Sequence, residues 1–331
     1  MLLLSQKAAI LDRIKAPIVA ELAQFEQYFE EQMRNSRVPL LDKILRYVVR
    51  GKGKQMRPMF VFLSAKLLGD TTEATIRGAT LIELLHTASL IHDDVVDDSN
   101  ERRGFFSINA LWKNKIAVLL GDYLLSKGLL LSIDNGDFRL LQIVSRAVKE
   151  MSEGELLQIE RTRRLNLDET VYYEIIRQKT ASLIASSCTV GFASANTQPE
   201  WEQKVWQMGE KIGIAFQIKD DLLDLGNEKT GKPKGIDIQE KKLTLPLIHT
   251  IQNAKPSEQK RIINIIKNHN KNPRKVAEVI DFVWQNGGIE YAQKAMHQYR
   301  NQAIDMLHEF PESPARNGLE QLILYTTDRN K

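Results

Sequence analysis

The chain has 331 residues, 43% hydrophobic and 27% charged, which gives it the length and apolar content for a sizeable core and excludes a disordered tail. Its formal net charge of +4 is mild, and acidic clusters stand beside basic ones; this argues against a nucleic-acid partner and for a local site that takes an anionic ligand. The one cysteine, Cys188, excludes an internal disulfide and a multi-cysteine zinc site, and in the small-residue stretch Ala185-Ser186-Ser187-Cys188-Thr189 it reads as a buried structural thiol.

In chain order, Met1-Leu2-Leu3-Leu4-Ser5 is too short for a signal core and lacks a basic flank. No apolar stretch reads as approaching the ~20 residues of a membrane span. A cytoplasmic protein is expected, with a transient membrane-surface contact left open. From there apolar residues recur with a helical period. Ile10, Ile14, Ile18, Leu22, Phe25 and Phe29 make one stripe over residues 6–34, an amphipathic N-terminal segment within 1–35. Further helices are predicted over 40–50, 58–68, 72–98, 107–132, 137–164, 168–195, 199–226, 244–252, 256–268, 273–285, 287–309 and 315–326. Prolines 39, 58, 199, 246, 256, 273, 311 and 314 fall at starts or junctions of these segments. Period-2 alternation is absent, and so is a Pro/Gly/Ser-rich linker. The expectation is an all-α single domain over 1–331, a bundle of about a dozen helices around a central deep cavity. Gly226 to Gly235, rich in Gly and Lys, breaks the pattern and reads as a basic loop, a candidate lid over phosphates.

Two clusters carry the chemistry. Asp93-Asp94-Val95-Val96-Asp97 and Asp220-Asp221-Leu222-Leu223-Asp224 both read D-D-x-x-D among apolar residues. On a helix, positions i, i+1 and i+4 aim three carboxylates one way. Three like charges so close repel unless cations hold them, and hard oxygen ligands suit Mg²⁺, which binds a few carboxylates together with substrate phosphates. Either cluster alone could be a surface helix with chance acids. Basic residues lie near each: Arg102-Arg103-Gly104 after the first, and Lys179-Thr180, Phe216-Gln217-Ile218-Lys219 and Lys242-Leu243-Thr244-Leu245-Pro246 around the second. Gly51-Lys52-Gly53-Lys54-Gln55-Met56-Arg57-Pro58 can present cations and backbone N–H groups to an anion, without the spacing of a nucleotide P-loop. Mg²⁺ and cations together point to a diphosphate on an organic ester.

These motifs, in this order, resemble the trans-isoprenyl diphosphate synthase (polyprenyl synthetase) family, most of all its bacterial long-chain members. The resemblance runs by motif from Lys54 to Pro246 and beyond by length. It implies that Asp93, Asp94 and Asp97 hold Mg²⁺ on the allylic diphosphate, and that Asp220 holds a further Mg²⁺ with Asp221 and Asp224 supporting it, three ions in all. It implies Lys54, Arg57, His86 and Arg103 for isopentenyl diphosphate, and Arg102, Lys179 and Lys242 for the allylic diphosphate. Thr180 and Gln217 would line the reaction centre. Two positions depart from the family pattern: Gln55, where arginine is usual, and Lys241, where glycine is frequent. The first raises the question whether Lys52 or Lys54 serves the isopentenyl site. Family members of this kind are usually homodimers.

The implied reaction ionises an allylic C–O bond, adds the double bond of isopentenyl diphosphate to the cation and loses a proton. It needs no side-chain nucleophile, and none with a partner base is visible. His92 reads as structural. Product length is expected to follow from Ala88 and Ser89, one turn before Asp93. Both are small and leave room for another turn of about 5.4 Å, roughly one isoprene unit. Leu85, Ile82 and Leu81 continue an apolar wall, and Leu140, Leu141 and Val144 are candidates for its floor. A C30–C50 product is expected, with a short-chain C15–C20 synthase, a terpene cyclase or squalene-type enzyme, and a non-catalytic subunit as alternatives.

Overall fold

The computed structural model describes residues 10–34, 37–51, 53–102, 104–165, 168–196, 198–226 and 235–328. Helices dominate, at the places the apolar period sets. Predicted segments 72–98, 137–164, 199–226 and 256–268 correspond to helices Glu73–Val96, Phe138–Arg164, Pro199–Leu225 and Pro256–Asn268. Pro39, Pro246, Pro256 and Pro273 each stand in a first helical turn, where the missing N–H would have no partner anyway.

Three features differ from expectation. Pro17 converts part of the N-terminal stripe into a 3-10 turn, Ala16–Ile18, because its ring cannot continue the α-helical ladder. Residues Glu101–Arg102 and Phe105–Phe106 pair as a short antiparallel hairpin, turned by Gly104 at φ +80°. Two-residue strands are too short to show an alternation. The helix Ile108–Asp134 is long and apolar enough, by length and composition, to cross a membrane, contrary to the expectation of no such stretch.

The chain forms two compact units, each assembled from three separate stretches. The first comprises Met1–Arg146, Ser186–Val205 and Phe310–Leu319; the second comprises Ala147–Ala185, Trp206–Glu309 and Glu320–Lys331. In the first unit, the helix Glu73–Val96 starts with a reciprocal cap. Thr72 accepts from the Thr75 N–H, while the Thr72 N–H donates to Thr75 Oγ1 at 3.0 Å. Arg77 then grips Asp137 with two hydrogen bonds, 2.6 and 3.0 Å long. Further along, the His92 ring lies on Gly121 of Ile108–Asp134 so closely that a Cβ there would sit 2.1 Å from Nε2. That contact fits His92 as a packing residue. Phe25, Phe60, Phe62 and Phe192 are fully buried in this unit.

The second unit has its own core, in which Ile218 and Leu222 of the helix Pro199–Leu225 pack with Leu245, Ile248, Val279 and Phe282. Trp284 Nε1 donates to the Leu225 carbonyl at 2.9 Å, which satisfies an acceptor that a helix end leaves open.

Candidate active site

Both aspartate triplets end their helices. Asp93 and Asp94 occupy the last turn of Glu73–Val96 and Asp97 is its C-cap, with no basic residue in that turn. Asp220, Asp221 and Asp224 lie in the last two turns of Pro199–Leu225, whose final turn again has no basic residue. The C-terminus of a helix carries about half a negative charge and favours cations. Carboxylates are thus gathered twice at the end where the backbone opposes them.

In the first unit, Asp94 is buried and lines a cavity of ≈ 110 Å³ with His86, Leu90, Gln55, Gly53 and Phe106. Of the residues expected at an isopentenyl diphosphate site, His86 therefore shares a cavity with the loop before Met56–Ala65. Lys54, exposed in that loop, and Arg57, half-buried in the first turn of Met56–Ala65, do not line the cavity. Gln55 itself is left-handed at φ +53°. Arg103, Lys52 and the side chain of Arg102 lie outside the described residues. The hairpin backbone that carries Arg102 is anchored: Tyr47 OH donates to the Phe106 carbonyl at 2.7 Å, and Ser107 Oγ donates to the Ser99 carbonyl at 2.7 Å. Ala88 is buried, Ser89 is half-buried with its hydroxyl on the His86 carbonyl, and neither lines this cavity. Leu81, Ile82, Leu85, Leu140 and Val144 are all buried in the unit.

In the second unit, a cavity of ≈ 240 Å³ brings Lys179, Thr180, Gln217, Asp221 and Lys242 together with Tyr172, Arg161 and Asp237. The local reason is a break in helix geometry. The chain is helical from Glu169 to Ala195, but Arg177–Ala181 form a π-helical turn. Such turns place an extra residue in the ladder and are frequent at functional sites. Glycines make the room: a Cβ on Gly213 would fall 2.4 Å from Ala181 Cα, and one on Gly154 2.8 Å from the Lys179 nitrogen. Thr180 Oγ1 donates to Gln217 Oε1 at 2.8 Å, Gln217 Nε2 donates to Asp221 Oδ1 at 2.9 Å, and Tyr172 OH donates to Asp221 Oδ2 at 2.7 Å. Lys179 pairs with Glu155, and Lys242 with Glu240 at 2.5 Å. Asp224 accepts from the N–H groups of Ile236 (3.0 Å) and Asp237 (3.2 Å), and so caps the single-turn helix Ile236–Gln239 that the sequence did not announce. Lys241 stands at φ +60°, a left-handed position, which explains why glycine suits it. Residues 227–234 of the candidate lid lie outside the described residues.

Burial, then the charge of Asp237, pushes the Asp221 carboxyl well above the usual carboxylate range, against the hydrogen bonds from Tyr172 and Gln217. Burial likewise raises Asp224, against two backbone N–H groups. Burial and the neighbouring Asp224 push Asp237 up to about 7, with Lys242 pulling the other way. This set of acids is short of positive charge. A divalent cation among them would supply it and restore the ionised forms. Among the described residues no three His, Cys, Asp or Glu side chains form a closed cage. Mg²⁺ keeps waters and substrate oxygens in its shell and takes only part of its coordination from carboxylates. The donor set fits the metal.

A family model described as polyprenyl synthetase matches residues 38–283. The chain belongs to this family. A nonaprenyl diphosphate synthase of Rhodobacter capsulatus, described as geranyl-diphosphate specific, is 35% identical over 96% of this chain and 97% of its own. A crystal structure of a decaprenyl diphosphate synthase from the same organism superposes with TM-score 0.91 at 32% identity, covering 97% of this chain and 99% of the other. A Caulobacter crescentus polyprenyl synthase, complexed with calcium and isoprenyl diphosphate, superposes with TM-score 0.90 at 30% identity, covering 97% and 98%. The all-α fold is the one these polyprenyl synthetases share. The activity is that of a trans-polyprenyl diphosphate synthase, a prenyltransferase of isoprenoid biosynthesis, and polyprenyl synthetases depend on Mg²⁺.

The motifs read from the sequence do not include Tyr172, Arg161 or Asp237. Tyr172 falls in the apolar stripe of its helix and reads as core, and Asp237 is a lone acid in the single-turn helix Ile236–Gln239. Arg161, whose buried Nε has no hydrogen-bond partner among the described residues, is one basic residue in the run Arg161-Thr162-Arg163-Arg164. Only the tertiary structure groups the three.

Proposed function

We propose that this enzyme is a stand-alone, long-chain synthase that adds isopentenyl diphosphate repeatedly to an allylic diphosphate such as farnesyl or geranylgeranyl diphosphate, ending at C30–C50. The small pair Ala88 and Ser89 before the first triplet carries the reading, and the nonaprenyl and decaprenyl relatives support it. Lys54, Arg57, His86 and Arg103 hold isopentenyl diphosphate. Arg102, Lys179 and Lys242 grip the allylic diphosphate and neutralise charge on it as it departs. For the two lysines this means exchanging Glu155 and Glu240 for substrate oxygens. Thr180 and Gln217 line the reaction centre with their oxygens. Asp93, Asp94, Asp97, Asp220, Asp221 and Asp224 hold Mg²⁺, three ions per site, directly or by orienting one another. When bound, Mg²⁺ supplies Lewis-acid stabilisation of the leaving diphosphate. The whole chain acts as one catalytic domain in the cytoplasm. It works as a homodimer through the exposed apolar face of Ile108–Asp134, where Val118, Leu119, Leu130 and Ile133 recur at helical spacing. Release of a long greasy product brings transient contact with a membrane surface.

The experiment is incubation of purified protein with farnesyl diphosphate, excess isopentenyl diphosphate and Mg²⁺, followed by chromatography of the products. Products of C30 or longer are expected. A stop at C15 or C20 would sink the length assignment, and no elongation without a second protein would sink the stand-alone one.

A further inference from the structure

The second-unit cavity contains a hydrogen-bond chain, Thr180 to Gln217 to Asp221 to Tyr172, whose last member lies outside the motifs read in the sequence. Asp221 and Tyr172 are both about 5% exposed or less. Among the described residues, Asp221 takes one hydrogen bond on each oxygen, from Tyr172 OH and from Gln217 Nε2. An amide side chain has two orientations, and its partners decide between them. A carboxylate can only accept, so Asp221 claims the NH₂ group and turns Gln217 Oε1 towards Thr180. Thr180 spends its one proton on that oxygen. The lone pairs of Thr180 Oγ1 and the remaining acceptor capacity of Gln217 Oε1 are then what these two side chains offer to the cavity they line. That is the polarity an allylic cation requires.

We infer that Tyr172 is a positioning residue: its hydroxyl locks Asp221, and through Asp221 it fixes the Gln217 amide with oxygen, not nitrogen, towards the reacting carbon. The inference rests on the prenyl synthase reading above. Tyr172 is itself immobile, held in the hydrophobic core of the second unit with its ring edge-on to Tyr173 at 5.4 Å. Without its hydroxyl the carboxylate loses one of two tethers, rotates about its Cβ–Cγ bond, and no longer selects one amide orientation.

The test uses the full-length enzyme with Mg²⁺. Tyr172→Phe is expected to lower the single-turnover condensation rate by about 10-fold or more, with KM for both substrates within ~3-fold, because the loss falls on a charge that exists only in the transition state. In a Gln217→Ala background the same substitution is expected to change the rate by less than ~2-fold, since the group it positions is gone. Equal losses in both backgrounds, or a Tyr172→Phe rate within ~2-fold of wild type, would overturn the inference. A readout without turnover separates this from failure of the functional reading. The Gln217 side-chain amide should give a slowly exchanging NMR signal in the wild-type protein and lose that protection in Tyr172→Phe. An unchanged signal overturns the lock even if the wild-type protein elongates nothing.

Discussion

Asp93, Asp94 and Asp97 sit at a helix C-terminus, where the carbonyl dipoles disfavour negative charge and a bound cation would offset it. Asp93→Ala should therefore cost about 10²–10³-fold in kcat, in the range found when one electrostatic stabiliser is removed. The check is steady-state turnover against a Mg²⁺ titration; a loss recovered fully at high Mg²⁺ would show a binding defect alone. Cys188 makes the opposite case. It is fully buried, and burial pushes its thiol up to about 12, with a hydrogen bond to Ser64 working against that. At pH 8 about one thiol in 10⁴ is ionised, so native protein should resist thiol reagents and react fully only when unfolded; rapid labelling of the native enzyme would contradict its buried setting. The triplets were legible in the sequence because acids among apolar neighbours have no structural excuse. Tyr172 was not, because a tyrosine on an apolar stripe looks like core, and the carboxylate that gives it a task lies 49 positions away.

Among the elements, the π-turn Arg177–Ala181 places Lys179 and Thr180, and it exists because Gly213 and Gly154 leave its neighbours room. Gly213→Ala would drive a methyl to 2.4 Å from the Ala181 backbone. It should cost about 1–3 kcal/mol of stability by overpacking and lower turnover further than that loss explains; paired melting and rate measurements separate the two. The helix Glu73–Val96 offers a second case. Ala88→Tyr is expected to shorten the product, read by chromatography, with a stability cost since Ala88 is already buried. Unchanged product length in a folded variant would place the chain's path elsewhere. Helix positions were legible because the apolar period and the prolines agree. The π-turn was not, since it keeps the composition of an α-helix and differs only in which carbonyl each N–H meets.

At the scale of the whole molecule, the helix Ile108–Asp134 exposes several large apolar side chains, among them Val118, Leu119, Leu130 and Ile133. Leu119 is 56% exposed there. For the homodimer proposed through this face, Leu119→Glu is expected to give monomer in analytical ultracentrifugation while leaving helical circular dichroism unchanged; a variant that stays dimeric would move the interface off this face. The all-α architecture was readable from periodicity, but the two interleaved units were not, because contacts between distant stretches leave no mark on local sequence. That interleaving bears on how the chain reaches its native state. Phe310 completes the first unit by packing against Phe192 and Trp201, at ring distances of 6.3 and 4.6 Å. A ribosome delivers Phe310 long after Phe192 and Trp201, so the unit that holds the first aspartate triplet has to wait for a segment made well after its other stretches. Neither unit can be released by a single proteolytic cut, and closing either one requires contacts between stretches far apart in the chain.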